Sequence, residues 1–220
     1  MKGKGLQPIN ILQPGKIKNV YIQVITNTNH QEATGNEYLK EIRKEVKKIM
    51  RKTYSEEEVD AVNFEMDYHY SESLMKANLS SKIKENKKAK AKNYHPKDKG
   101  PAKIVYGILL FAYGENIYYD CSSVCNDDFT NDEEYIEKVL DTFRFYFASG
   151  SCMDEHLQDQ LLIFMTLANG KSTIRCNKDI TEHTNSCFYI FKGFFPQLKY
   201  EVTQEKDSGL ATIQIEGMLR

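Results

Sequence analysis

The sequence has almost no net charge. Thirty lysines and arginines against 31 acids leave −1 over 220 residues, so global charge does not point to a polyanion, although local charge can. No apolar run reaches the length of a bilayer span; the longest, Leu161 to Ala168, continues an amphipathic helix. The opening MKGKGLQPIN carries no apolar stretch of the signal-peptide kind. No repeat recurs at a fixed period. Cysteines are few and odd in number: Cys121, Cys125, Cys152, Cys176 and Cys187. Without an export signal they read as reduced thiols of the cytosol or nucleus. Cys121 and Cys125 form a C-x3-C pair with no second Cys/His pair at zinc-ligand spacing, so strand and loop are the expected setting.

What is present is ordinary for a globular protein, 40% hydrophobic and 28% charged, and long enough for one good core or two small ones. The first fourteen residues read as the end of a strand entering a connection. IKNVYIQVIT (Ile17 to Thr26) alternates as a strand. Asn36 to Lys52 places Leu39, Ile42, Val46 and Ile49 at helical spacing, with Asn36 as the expected cap. Val59 to Tyr70 alternates as a strand. Ser80 to Lys103 holds nine lysines against two acids and closes on Pro96, Gly100 and Pro101, a lysine-rich loop that is either solvated or in contact with nucleic-acid phosphates. Ile104 to Gly114 and Asn116 to Val124 read as tightly joined strands. Asp132 to Gly150 is a helix closed by its glycine.

The tail runs helix (Asp154 to Ala168), strand (Lys171 to Cys176), helix (Thr181 to Phe191) and two strands (Leu198 to Glu205, Leu210 to Gly217). That order lacks only a leading strand for two helices on one four-stranded sheet, a βαβαββ unit, and the residues before Gly15 can supply it. The expected fold is α+β: this unit, with a smaller α/β domain inserted between Gly15 and about Ala148.

Two segments carry chemistry. In DEHLQDQLLIFMTLANG, Asp154 to Gly170, His156, Asp159 and Gln160 stand at i, i+3 and i+4 on one helix side, while Leu157, Leu161, Phe164, Met165 and Ala168 line another. Asp154 and Glu155 read as dipole partners of the first turn. Aspartate and glutamine bond sugar hydroxyls or base edges, and an imidazole stacks on a base; a plain solvated face is the alternative. His156 and Asp159 are two metal donors, too few for a site. In ITEHTNS, Ile180 to Ser186, His183 falls in a first helical turn, with Asp179 and Glu182 as a capping-box-like start. The positive helix end disfavours imidazolium and attracts phosphate. His183 therefore reads either as a neutral nucleophile or as a capping or surface residue.

DEHLQDQLLIFMTLANG resembles the segment near the C-terminus of RNA 3′-terminal phosphate cyclases, and TEHTNS resembles their active-site histidine segment. KGKGLQPINILQPGKI resembles the passage from their catalytic domain into an inserted domain, with Gly3-Lys4-Gly5 where the family has a glycine triplet. The likeness covers residues 1–20 and 149–217. It implies residues 1–14 as the strand end of the catalytic domain, 15–148 as the inserted domain with its loop at 80–103, and 149–220 as the final catalytic unit. It further implies that His183 attacks the α-phosphate of ATP with Mg²⁺ present, that AMP passes to an RNA 3′-phosphate, and that the 2′-hydroxyl then closes a 2′,3′-cyclic phosphate. His156, Asp159 and Gln160 would contact the nucleotide, His156 where the family more often has tyrosine. The likeness begins late in the family's chain, so the N-terminal repeats are expected to be missing and the activity of the 220 residues alone to be weak. The alternative is a non-catalytic cyclase-like protein of ribosomal RNA processing, or an RNA-binding module. The expected place is the nucleoplasm or the cytoplasm, with no membrane partner.

Overall fold

A computed structural model describes residues 5–26, 32–70, 105–124, 131–177, 180–206, 208 and 210–218. The lysine-rich stretch 80–103, Cys125, Asp179 and the pair Gly3-Lys4 lie outside the described residues. The fold is mixed α/β with two sheets. The chain divides into two compact units, one of residues 1–19, 112–120 and 143–220, the other of residues 20–111 and 121–142.

The first unit is built on a four-stranded sheet of β1 (Asn10–Ile11), β7 (Lys171–Cys176), β9 (Ala211–Glu216) and β8 (Lys199–Gln204), in that order. β1 runs parallel to β7, pairing Asn10 with Thr173 and Ile11 with Ile174. The opening residues thus form the strand beside β7, and Thr173 N donates to Ile9 O at 2.7 Å. β7 and β8 both run antiparallel to β9. Two helices, α4 (Glu155–Leu167) and α5 (Glu182–Phe194), cover one face. Ile174, Cys176, Ala211, Ile213 and Ile215 point to that face and pack with Leu162, Met165 and Phe188. Period-2 alternation sends Thr173, Arg175, Thr212 and Gln214 to the opposite, polar face. There Arg175 donates Nε to Glu205 Oε1 at 2.8 Å and a terminal nitrogen to Oε2 at 2.6 Å. β8 is an edge strand exposed at every residue, though Tyr200 stacks on Phe188 of α5 at 4.0 Å between centroids.

The second sheet has the order β3 (Asn63–Tyr70), β2 (Ile17–Thr26), β4 (Val105–Gly114) and β5 (Ile117–Asp120), with β6 (Ser123–Val124) paired to β4. The second unit also holds α1 (Glu32–Met50), α2 (Glu56–Asp60) and the first part of α3 (Asp132–Ser149). Leu39, Ile42, Val46, Ile49 and Met50 of α1 are buried, as the spacing requires.

Several boundaries differ from those expected, each for a local reason. α1 starts at Glu32, so Asn36 lies inside it, exposed, and caps nothing. The early turn fits because Gly35 lies against the Tyr68 ring, where a Cβ would collide. Val59 and Asp60 belong to α2 and not to a strand, because Ser55 and Glu58 close a capping box ahead of them. The strand expected over Asn116 to Val124 breaks after Asp120: the Ser122 hydroxyl accepts Leu110 N–H at 3.1 Å in place of a ladder carbonyl. α3 does end at Gly150, whose φ of +71° is left-handed and suits glycine. No described helix is long and apolar enough to cross a membrane. The described cysteines, Cys121, Cys152, Cys176 and Cys187, are free thiols, and burial pushes Cys152 up to about 11.

Candidate active site

α4 begins where Asp154 turns its carboxylate back onto the chain. Oδ1 accepts from His156 N at 2.8 Å and Leu157 N at 2.7 Å, satisfying two donors of the first turn. Oδ2 accepts from Asp120 N at 2.7 Å. Asp154 is therefore the cap of α4 and the tie between β5 and the helix, fully buried, rather than a solvated dipole partner. Burial raises its pKa, while the backbone donors and the neighbouring His156 work against that rise.

The helix that follows buries Gln158, Leu162, Met165 and Thr166. This turns the inner face from the expected one, for Phe164 is 49% exposed while Leu157 and Leu161 are half-buried at the edge of the core. Gln158 stands where periodicity calls for an apolar residue. Its Nε2 donates to Thr184 Oγ1 at 3.1 Å, and its Oε1 is the buried side-chain acceptor without a partner among the described residues. Thr184 also contacts Thr181 Oγ1 at 3.1 Å.

α5 is capped by Thr181, whose hydroxyl accepts Thr184 N at 3.1 Å. The cap is thus two residues later than the Asp179 start read from the sequence; Asp179 itself lies outside the described residues. The extended backbone of Thr181 (φ −64°, ψ 158°) makes it the entry residue, so His183 is the second residue of the helix, exposed. The Gln158–Thr184 bond sets the opening turn of α5 beside α4, with His183 adjacent to the bonded threonine.

The remaining residues singled out from the sequence share the outer side of α4. His156 is exposed, its Nε2 4.0 Å from Glu155 Oε1. Asp159 is half-buried and near enough to α5 that, after burial, its charge raises the Cys187 thiol pKa. Gln160 is exposed. No hydrogen bond or ion pair joins His156, Asp159, Gln160 and His183 to one another among the described residues. The arrangement is an open polar surface around two adjacent helix starts, able to present an imidazole to a ligand from solvent and to favour an anionic group there. Sequence reasoning missed Gln158 and Thr184, although Gln158 sits at i of an i, i+4, i+7 series with Leu162 and Met165 that marks the buried stripe. Among the described residues no three His, Cys, Asp or Glu side chains are grouped to hold a metal ion.

Two relatives of known class are similar to parts of the chain. A probable RNA 3′-terminal phosphate cyclase of Dictyostelium discoideum is 56% identical over 41 residues, 19% of this chain and 9% of that protein. An RNA 3′-terminal phosphate cyclase of Drosophila melanogaster is 37% identical over 60 residues, 27% of this chain and 16% of that protein. The chain thus matches less than a fifth of the length of either relative. The family as a whole extends much further along the sequence, over residues 3–202, a span that takes in β1, both helix starts and every site residue named above; the chain belongs to the RNA 3′-terminal phosphate cyclase family.

Proposed function

We propose that this chain serves the ATP-dependent conversion of an RNA 3′-phosphate to a 2′,3′-cyclic phosphate, with His183 as the nucleotide acceptor. The observation that carries the reading is the family match through residues 3–202 joined to the position of His183, exposed in the first turn of a capped helix.

In the first step the imidazole attacks the α-phosphorus of ATP, a P–N bond forms and diphosphate leaves. An oxygen of the RNA 3′-phosphate then attacks the same phosphorus, and the imidazole departs as AMP passes to the RNA. Finally the vicinal 2′-hydroxyl attacks the 3′-phosphorus, loses its proton and expels AMP. Splitting one condensation into three displacements lowers each barrier. His156, Asp159 and Gln160 would meet the base and sugar: an imidazole face for stacking, a carboxylate and an amide for hydroxyls or base edges. Mg²⁺ bound to the triphosphate would offset its charge.

We also read residues 15–148 as a domain inserted into the catalytic fold. The nesting of one compact unit, 20–111 and 121–142, within the other supports this.

Covalent labelling with ATP radiolabelled at the α-phosphate, in the presence of magnesium, tests the reading on the whole chain. Label that survives denaturation on the native protein and is lost in His183→Ala is the expected result. A native protein that takes up no label, or a His183→Ala variant that labels equally, removes His183 as the acceptor.

A further inference from the structure

Five of the cations near the end of α1 share one side of it. At about 100° per residue, Lys40, Arg43, Lys44, Lys47 and Arg51 fall within one stripe roughly 100° wide, next to the buried row of Leu39, Ile42, Val46, Ile49 and Met50. Glu37, Glu41 and Glu45 occupy the following sector. Lys40–Lys44, Arg43–Lys47 and Lys47–Arg51 are like-charge pairs at i, i+4, each unfavourable by a few tenths of a kcal/mol in an isolated helix, while Lys48, in the glutamate sector, pairs with Glu45 at 3.0 Å.

These five cations line an open concavity of about 350 Å³. Lys47 and Arg51 are tethered from its rim, to Asp60 at 3.0 Å and Glu56 at 2.8 Å. Arg43 and Lys47 lie over the Phe64 ring at 5.3 and 5.6 Å from its centroid, which positions the Arg43 guanidinium without neutralising it. Among the described residues no carboxylate pairs with Lys40, Arg43 or Lys44.

We propose that this groove is a docking track for the phosphodiester backbone of the RNA substrate, engaging a stretch of the strand other than its reacting 3′ end. From Lys40 to Arg51 the chain rises about 16 Å, enough to lie along about three consecutive phosphates of a single strand. Regularly spaced cations suit sequence-independent backbone binding. The inference rests on the reading of the substrate as RNA, but not on the chemistry at His183.

The test measures binding of a fluorescein-labelled single-stranded RNA carrying a 3′-phosphate, by anisotropy, to the full chain between about 50 and 200 mM salt. The groove variant is Lys40→Gln, Arg43→Gln, Lys44→Gln; the control is Lys48→Gln, Lys52→Gln, in the last turn of α1 and just past its end, outside the groove. Circular dichroism melts establish that each variant is folded. The groove variant is expected to bind at least tenfold more weakly at low salt, with the slope of log K against log salt reduced by about 2, since each neutralised single-strand phosphate contributes about 0.7. The control is expected to keep the native slope. Equal slopes for native and groove variant, or an equal fall in the control, overturn the proposal, whatever the labelling at His183 shows. A reduced slope in the groove variant alone sustains it even where the native chain takes up no label from ATP, so the two readings fail separately.

Discussion

At the scale of single residues, Asp154 and Gln158 show how one buried polar side chain differs from another. Asp154 answers three backbone donors, two on its own helix and one on β5. Removing the carboxylate uncaps α4, worth about 1 kcal/mol, and leaves the Asp120 N–H without its acceptor, worth about 1–3 kcal/mol more. Asp154→Ala is therefore expected to lower stability by about 2–4 kcal/mol in urea unfolding, and Asp154→Asn, which keeps one acceptor oxygen, by less. Equal midpoints for native protein and Asp154→Ala would refute the tie. Gln158 makes one bond and leaves one oxygen unanswered, so its place is explained by joining α4 to Thr184 rather than by stability. Neither role was legible in the sequence. An aspartate just before a helix reads equally well as a dipole partner, and a glutamine in an amphipathic segment is counted with the solvated face.

At the scale of elements, the strands were the clearest. β2 and β7 have the limits their β-branched alternation predicts, and β1, β8 and β9 fall within the stretches assigned to them. Helix bodies were legible for the same reason, because burial follows period 3.6 in α1 and α3. Helix starts were not: Asn36 has the chemistry of a cap but sits inside α1, and Thr181 took the place given to Asp179, since capping depends on which backbone N–H a side chain reaches and not on residue type alone. The polar face of the four-stranded sheet brings another element-scale effect, the reach of Arg175 on β7 to Glu205 just past β8. That contact, with help from Ser208, holds the Glu205 carboxyl below the usual glutamate range. A depressed acid stabilises the fold above its ordinary pKa and ceases to do so as pH falls through the folded value. Glu205→Gln is therefore expected to lower stability to urea at neutral pH, by less than about 1 kcal/mol because the pair is partly exposed. The gap to the native protein should close as the pH falls through the lowered folded value of Glu205; a gap that persists once the carboxyl is protonated would show that packing, not charge, was lost.

At the scale of the whole molecule, the family was legible because two segments, Asp154–Gly170 and Ile180–Ser186, carry polar residues where a plain helical unit needs none. The arrangement of those residues in space was not, since helix pairing depends on contacts such as Gln158–Thr184 between positions 26 apart. The same long-range dependence governs the sheet of the first unit. β9 lies between β7 and β8 and supplies the ladder bonds of both. A chain ending at Ser208 is expected to lose cooperative unfolding of this unit while residues 20–111 and 121–142 retain a protected set of amides in hydrogen exchange; protection of β7 in that shortened chain would contradict the assignment.

The order of strands also sets a timetable. A ribosome delivers the chain from the N-terminus at about 5–20 residues per second, so residues 20–142 are all available while much of the surrounding unit is still unmade. β1 emerges first of its sheet and β9 last, yet β9 fills a central place. The nascent protein must therefore hold β1, β7, α4, α5 and β8 in waiting until the final strand arrives, and that interval, rather than the finished fold, is when a chaperone has most to protect.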